Sequence, residues 1–179
     1  DRTLVGYEQS MGIFSIIWKD EYTPYEYIYF DYDENYKPIF AFGDTQNIMS
    51  QSGRYIYGKA IEYTDLGENP CPAIYDRNTS ELICFTGAGY VSAVADNGVA
   101  FLNDVPYYIG TTSYVVDLNA GEPYEQKPII DWLLDEHSID LYDYIQDGVI
   151  TIGASEDGSV LLGITNTMQG WLTYVIDLN

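Results

Sequence analysis

Basic side chains are scarce in this chain: seven Lys and Arg stand against 28 Asp and Glu over 179 residues, a formal charge of −21. A surface this acidic repels phosphate backbones and anionic headgroups, which argues against nucleic acid and anionic membranes as partners. Histidine is scarcer still, with His137 alone. Together with Cys71 and Cys84 it gives at most three nitrogen or sulfur ligands, without metal-site spacing, so a dedicated zinc site is excluded. No run approaches the roughly 18 consecutive apolar residues that span a bilayer, and the first residues show no basic segment leading into an apolar one. A phosphate loop, a nucleophile elbow and a kinase signature are also missing, and Gly87-Ala88-Gly89 lacks the third glycine and following helix of a nucleotide fingerprint. No cofactor is expected.

What the chain does have is aromatic and β-forming residues. Aromatics make up 16% of it, with 19 Tyr, and the hydrophobic content is 46%, so the chain has the means to fold despite its charge. Short strand-like runs separated by turn residues recur throughout: 2–6, 11–18, 26–30, 47–50, 54–58, 72–76, 81–85, 90–95, 99–103, 113–117, 149–152, 160–163 and 172–177. Cys71 and Cys84 flank the turn-like run Asp76-Arg77-Asn78-Thr79-Ser80, so a hairpin brings them near each other. Either a disulfide or two buried free thiols fits that placement. Asn78-Thr79-Ser80 also has the pattern of an Asn-glycosylation acceptor.

Within these strands one unit repeats. Ser155-Glu156-Asp157-Gly158-Ser159-Val160-Leu161-Leu162-Gly163 reads as turn and strand, and copies end at Gly6, Gly58 and Asn103, at spacings of 52, 45 and 60 residues. Each copy is followed by a strand whose last hydrophobic residue is Trp18, Tyr75, Val116 or Ile176, and in three copies Asp comes next: Asp76, Asp117 and Asp177. Ser52-Gly53, Asn97-Gly98 and Asp157-Gly158 are read as two-residue hairpin turns tolerant of positive φ. The strands after them are apolar without alternation, as for strands covered on both faces. Ser155, Glu156 and Asp157 together suggest an active loop, but the copies replace them with Ala95, Gln51 or Asp96, and Ser52 or Asn97. The chemistry expected there is turn chemistry.

A period of about 45 to 60 residues holding roughly four strands predicts an all-β, propeller-like fold of about four four-stranded blades, with solenoids and multi-sheet sandwiches as competitors. The approximate repeats are 1–44, 45–89, 90–126 and 127–179 of a single propeller-like domain or fragment. One short helix is expected near 128–137, where Pro128 suits a first helical position and Ile129, Ile130, Leu133, Leu134 and His137 recur at helical spacing. Both ends fall inside repeats, which suggests part of a larger ring, or an arc that self-associates through its end strands. A signal or lipoprotein leader removed ahead of Asp1 is a further expectation.

The run from Pro128 to Asn179 resembles an HAF-type repeat, a propeller-like unit of secreted and cell-surface bacterial proteins. The resemblance is carried by Asp131-Trp132-Leu133, by Ser155-Glu156-Asp157-Gly158 through Gly163, and by Tyr174-Val175-Ile176-Asp177. It implies an extracytoplasmic β-propeller-like fold, periplasmic or at the cell surface, and it brings no catalytic residues with it. Fold likeness alone does not assign an activity.

The remaining polar groups have bland readings. His137 has Asp135, Glu136 and Ser138 beside it, but neighbours on a helix point in different directions and form no triad. Asp31, Asp33 and Asn35 match the first half of a calcium loop, whereas Tyr36 and Phe42 stand where its Gly and Glu belong, so a solvated loop is the reading. With 28 acids some carboxylates must lie close together, so no pair singles itself out for glycoside hydrolysis. Tyr22, Tyr25, Tyr27, Tyr29 and Tyr32, or Tyr107 and Tyr108, could pack in strands or stack on a sugar. The sequence therefore reads as a non-catalytic interaction or scaffold module for a protein or glycan partner. The alternative is a carbohydrate-binding or glycan-hydrolysing domain using Tyr, Trp and carboxylates.

Overall fold

The computed structural model of the chain describes residues 4–8, 14–18, 26–27, 30–32, 38–42, 48–87, 89–104, 112–142, 147–167 and 170–179. The strands are β1 (Leu4–Glu8), β2 (Phe14–Trp18), β3 (Glu26–Tyr27), β4 (Phe30–Tyr32), β5 (Pro38–Phe42), β6 (Ile48–Met49), β7 (Tyr55–Thr64), β8 (Gly67–Asp76), β9 (Glu81–Cys84), β10 (Tyr90–Val94), β11 (Val99–Asn103), β12 (Ser113–Asp117), β13 (Lys127–Pro128), β14 (Asp147–Ala154), β15 (Val160–Thr167) and β16 (Gly170–Asp177). One helix, α1 (Ile129–His137), accompanies them. The chain is mostly β, and among the described residues every strand pairing is antiparallel apart from one isolated parallel bridge, Thr112 to Val149.

Four sheets result: β1-β2-β3; β4-β5-β7-β8-β9 with β6 also on β7; β10-β11-β12-β13; and β14-β15-β16. Among the described residues, only the β10–β13 sheet has the four strands expected of a blade. The chain divides into two compact units, Asp1–Thr86 and Gly87–Asn179.

In the first unit, β7 and β8 pair along all ten residues, from Tyr55 opposite Asp76 to Thr64 opposite Gly67. The sequence reading ended the first of these strands at Gly58 and began the second at Pro72, with several charges and Pro70 in the interval. Pro72 is tolerated because its carbonyl accepts from Phe85 N at 2.9 Å, on the side away from β7, and its missing N–H lies on that same side. Ile56, Ala60 and Ala73 form the local core, with Met49, Cys71, Tyr75 and Leu82 packed on it. The β8–β9 hairpin brings Cys71 and Cys84 to a Cα separation of 5.7 Å, and they are bridged. Between the two readings left open for these cysteines, the structure has the disulfide.

In the second unit, Ala93, Phe101, Val115, Val149 and Leu161 from two sheets meet Ile129 and Leu133 of α1 in one cluster. The helix supplies its apolar side to this core, and Ser138, in the left-handed region at φ 58°, ends it. Pro128 is not inside the helix as its spacing suggested. At ψ 136° it is extended and pairs with Tyr114 as the end of β13, so the helix starts one residue later.

Candidate functional site

The three complete repeat hairpins lie within the described residues, and their turns are not the two-residue type. Gly53, Gly98 and Gly158 alone take positive φ (78°, 92° and 74°), while Ser52, Asn97 and Asp157 do not. Each glycine N–H closes on the carbonyl three residues back: Gly53 on Ser50 at 2.9 Å, Gly98 on Ala95 at 3.0 Å and Gly158 on Ser155 at 3.0 Å. This is a tight turn followed by a left-handed glycine. The residue before the glycine is chosen for its side-chain oxygen, which accepts the amide two residues on. Ser52 Oγ takes Arg54 N at 3.2 Å, Asn97 Oδ1 takes Val99 N at 3.0 Å, and Asp157 Oδ1 takes Ser159 N at 3.0 Å.

Loop length differs among the copies, and this corrects the repeat alignment. Tyr55, Val99 and Val160 face Asp76, Asp117 and Asp177 in register. Counting along the strands, Gly58 and Gly163 therefore correspond to Leu102, and Asn103 falls one position later. The third loop is one residue shorter. In the longer loops the extra strand amide is met by a serine hydroxyl: Ser50 Oγ takes Tyr55 N at 3.2 Å and Ser155 Oγ takes Val160 N at 2.9 Å. Ala95 occupies that place in the short loop, where Ala95 N donates to Val99 O at 2.9 Å.

Asp76, Asp117 and Asp177 each start a turn, and each is followed two residues later by Asn, a regularity the sequence reading missed. Their Oδ1 atoms accept from Asn78 N at 2.8 Å, Asn119 N at 2.9 Å and Asn179 N at 3.1 Å. The intervening residue extends the ladder: Arg77 N reaches Arg54 O at 3.0 Å, Leu118 N reaches Gly98 O at 2.9 Å, and Leu178 N reaches Ser159 O at 2.8 Å. In the second unit the turns also bond one another. Asn119 Nδ2 donates to Asn97 O at 2.8 Å, Asn97 Nδ2 donates to Asp157 O at 2.7 Å, and Asp96 N donates to Glu156 O at 2.8 Å.

Deeper in that unit, a buried polar group joins the two sheets. Asn103 Nδ2 donates to Thr151 O at 3.0 Å, Thr151 N donates to Ser113 Oγ at 2.8 Å, and Ser113 Oγ donates to Asn103 Oδ1. Each member is buried and bonded, which is the condition for tolerating polar atoms in a core. Gly163 serves a different need: a methyl there would overlap the Tyr174 ring and the Ile150 carbonyl. Tyr174 OH donates to Ile150 O at 3.2 Å and lies 3.4 Å from Thr151 Oγ1, and burial pushes its hydroxyl up to about 12.

The charged residues are similarly engaged. Asp157 collects Ser159 N and the hydroxyls of Ser155 and Ser159, both at 2.7 Å, and these bonds, the Ser159 amide first, hold its carboxyl down to about 2. Burial favours a raised Asp76, but hydrogen bonds and charge from Arg54, with the Asn78 and Thr79 amides, outweigh it and hold the carboxyl below its ordinary range. Arg54 Nη2 lies 2.8 Å from Asp76 Oδ2, and its guanidinium sits 4.5 Å from the Tyr55 ring centre. Lys127 Nζ bridges Asp135 at 2.9 Å and Glu136 at 3.5 Å. His137 packs edge-on to Trp132, ring centres 4.5 Å apart, and Trp132 in turn meets Phe101 at 6.1 Å. Tyr142 OH donates to Asp131.

No group of three or more His, Cys, Asp or Glu that could hold a metal ion occurs among the described residues. Of the residues matching half of a calcium loop, Asp33 and Asn35 lie outside the described residues, as do Tyr36, Tyr22, Tyr25, Tyr29, Tyr107 and Tyr108. Nor is any helix among the described residues long and apolar enough to cross a membrane.

No protein-family model matches the chain, and no curated protein does. Among solved structures it is similar to TolB from Acinetobacter baumannii, at 13% identity and a TM-score of 0.50, a match covering 99% of this chain and 38% of that one. The likeness is one of fold, and this chain spans less than two fifths of that protein's length.

Proposed function

We propose that this chain is a non-catalytic, extracytoplasmic interaction or scaffold module built from propeller-like repeats of the HAF type. The observation that carries this reading is the use of Ser, Asp and Asn in the repeated turns. Ser155, Asp157 and Ser159, the residues most suggestive of an active loop, bond one another and the turn backbone. Their counterparts Ser50, Ser52 and Asn97 do likewise. The fold likeness to TolB, a β-propeller protein, supports the propeller-like part of the reading. The Cys71–Cys84 disulfide supports an oxidising compartment. Thiol labelling of exported protein tests the location: both cysteines stay unlabelled until a reductant is added, and free thiols would overturn it.

One observation favours a second reading, a carbohydrate-binding or glycan-hydrolysing domain. Tyr142 is exposed and bonded to Asp131, with Asp140 and Asp135 close enough to act on its hydroxyl. An aromatic face beside carboxylates can hold a sugar ring. Incubation with a panel of soluble polysaccharides separates the two. The scaffold reading expects no reducing ends and no binding that depends on Tyr142, whereas sugar release, or binding lost in Tyr142→Ala, would establish the second.

A further inference from the structure

We propose that the β8–β9 turn is an acceptor site for an N-linked oligosaccharide, carried on Asn78. The triplet Asn78-Thr79-Ser80 is unique in the chain: no other asparagine is followed two positions later by Ser or Thr. The fold places it at the closed end of a hairpin. Asp76 pairs with Glu81, and the turn between them leaves Asn78, Thr79 and Ser80 all exposed. Ser80, at φ 59°, sends the chain back into β9. A bulky, polar oligosaccharide needs a surface of this kind.

The equivalent asparagines of the other repeats show what sets Asn78 apart. Asn119 Nδ2 donates to Asp117 Oδ1 and Asn179 Nδ2 to Asp177 Oδ1, each at 3.1 Å, and Asn119 Nδ2 also reaches Asn97 O. Both side-chain amides are spent on their own turns. In the β8–β9 turn an arginine has taken that place. Arg54 Nε lies 3.3 and 3.2 Å from the two carboxylate oxygens of Asp76, and Arg54 Nη2 lies 2.8 Å from Oδ2. Asn78 keeps only the backbone part of the motif, its N donating to Asp76 Oδ1 at 2.8 Å. Its Nδ2 donates to no group among the described residues. The turn is held by the Asn78 backbone, and the side-chain amide is left to solvent.

The chemistry requires that amide to be free. Its nitrogen displaces a lipid diphosphate from the anomeric carbon of a lipid-diphosphate-linked oligosaccharide. The N–C bond forms, the C–O bond to the diphosphate breaks with its electron pair leaving on the diphosphate, and one amide proton passes to a base of the transferase. An amide already donating to a carboxylate has first to give up that bond, and Asn78 has none to give up. The Ser80 hydroxyl, by which such a triplet is recognised, belongs to an exposed residue as well. Transferases of this class work outside the cytoplasm, so the site rests on the extracytoplasmic reading above.

Export of the full chain from a host that has an oligosaccharyltransferase tests this, with intact mass and thiol labelling read on the same sample. The expected product carries one oligosaccharide, removed by an amidase that cleaves Asn-linked glycans, and has Cys71 and Cys84 bridged. Asn78→Gln and Ser80→Ala should each abolish the added mass, whereas Thr79→Ala, at the middle position where the triplet accepts most residues, should keep it. All three side chains are exposed, so the variants should fold, which their unfolding midpoints report. A bridged chain without the added mass, or a mass that survives Asn78→Gln, would overturn the site and leave the location standing. A chain with free thiols and no added mass would overturn both.

Discussion

Between Ala95 and Val99 the chain reverses with three residues, and between Ser155 and Val160 it uses four, yet both turns deliver the next strand into the same register against an Asp. The difference lies in where one backbone amide is satisfied. The longer loop leaves the Val160 N–H pointing inward, and the Ser155 hydroxyl takes it. The shorter loop has no such amide, and alanine suffices at its base. One inserted residue and one hydroxyl thus compensate each other, which is how a repeat can vary in length without moving its strands.

A parallel contrast lies one layer deeper. The third repeat joins the next sheet through Asn103 and Ser113, whereas the fourth has Gly163 beneath the Tyr174 ring. The largest expected effect tests the glycine. Gly163→Ala should lower stability in urea unfolding by about 3 kcal/mol, since neither the packed ring nor the Ile150 carbonyl can move away freely. A loss well under 1 kcal/mol would mean that the ring is not fixed there.

Next comes the polar joint. Asn103→Ala should cost about 2 kcal/mol by leaving the Thr151 carbonyl and the Ser113 hydroxyl short of partners, and the paired Asn103→Ala/Ser113→Ala variant should cost less than the sum of the singles. Strict additivity in the same assay would contradict a shared network. Smaller still, Ser155→Ala should cost about 1 kcal/mol, and Ala95→Ser should bring no gain, because its hydroxyl has no strand amide to serve and Ala95 is buried. Stabilisation by Ala95→Ser would erase the distinction between the turns.

Acid sharpens the comparison further. Asp157 titrates at about 2 when folded against an ordinary 3.8, so its bonds stabilise the turn fully above about pH 4 and are lost as pH falls toward 2. Asn97 carries no such dependence. Amide exchange should therefore show Ser159 N, which Asp157 Oδ1 accepts, losing protection through that window while Gly98 N and Val99 N, bonded within their own turn to Ala95 O and Asn97 Oδ1, keep theirs, and parallel loss at all three would count against the assignment. At the other extreme, Tyr174 ionises at about 12 instead of 10.0, so stability from its buried hydroxyl is present below pH 10 and declines between 10 and 12.

Much of this fold was legible because hairpin glycines and apolar strands act locally. The positions of the three turns, a helix near 128–137 and the Asp residues that close the following strands could all be read along the chain. The turn type was misjudged because Ser-Gly, Asn-Gly and Asp-Gly serve a two-residue turn as readily as a longer one; a bond such as Asp157 Oδ1 to Ser159 N decides between them. Aligning Asn103 with Gly163 failed for a related reason: a one-residue insertion before the strand is invisible unless the register is known. The Asp-x-Asn regularity was present as Asp76-Arg77-Asn78, Asp117-Leu118-Asn119 and Asp177-Leu178-Asn179, and was open to detection by extending the alignment two residues. The Asn103–Ser113–Thr151 joint spans long separations and three elements that need not be polar, so nothing local announces it.

Asn97 has a consequence for the chemical ageing of the protein. In a flexible chain, an Asn-Gly pair loses ammonia when the glycine nitrogen attacks the side-chain amide. Here the Gly98 N–H is tied to Ala95 O, and the Asn97 amide is held by Val99 N at one end and Asp157 O at the other. The folded turn should resist the attack that the unfolded chain permits. Peptide mapping of stored protein should then find deamidation at Asn97 only in proportion to time spent unfolded, which makes this residue a chemical clock for the opening of the second unit.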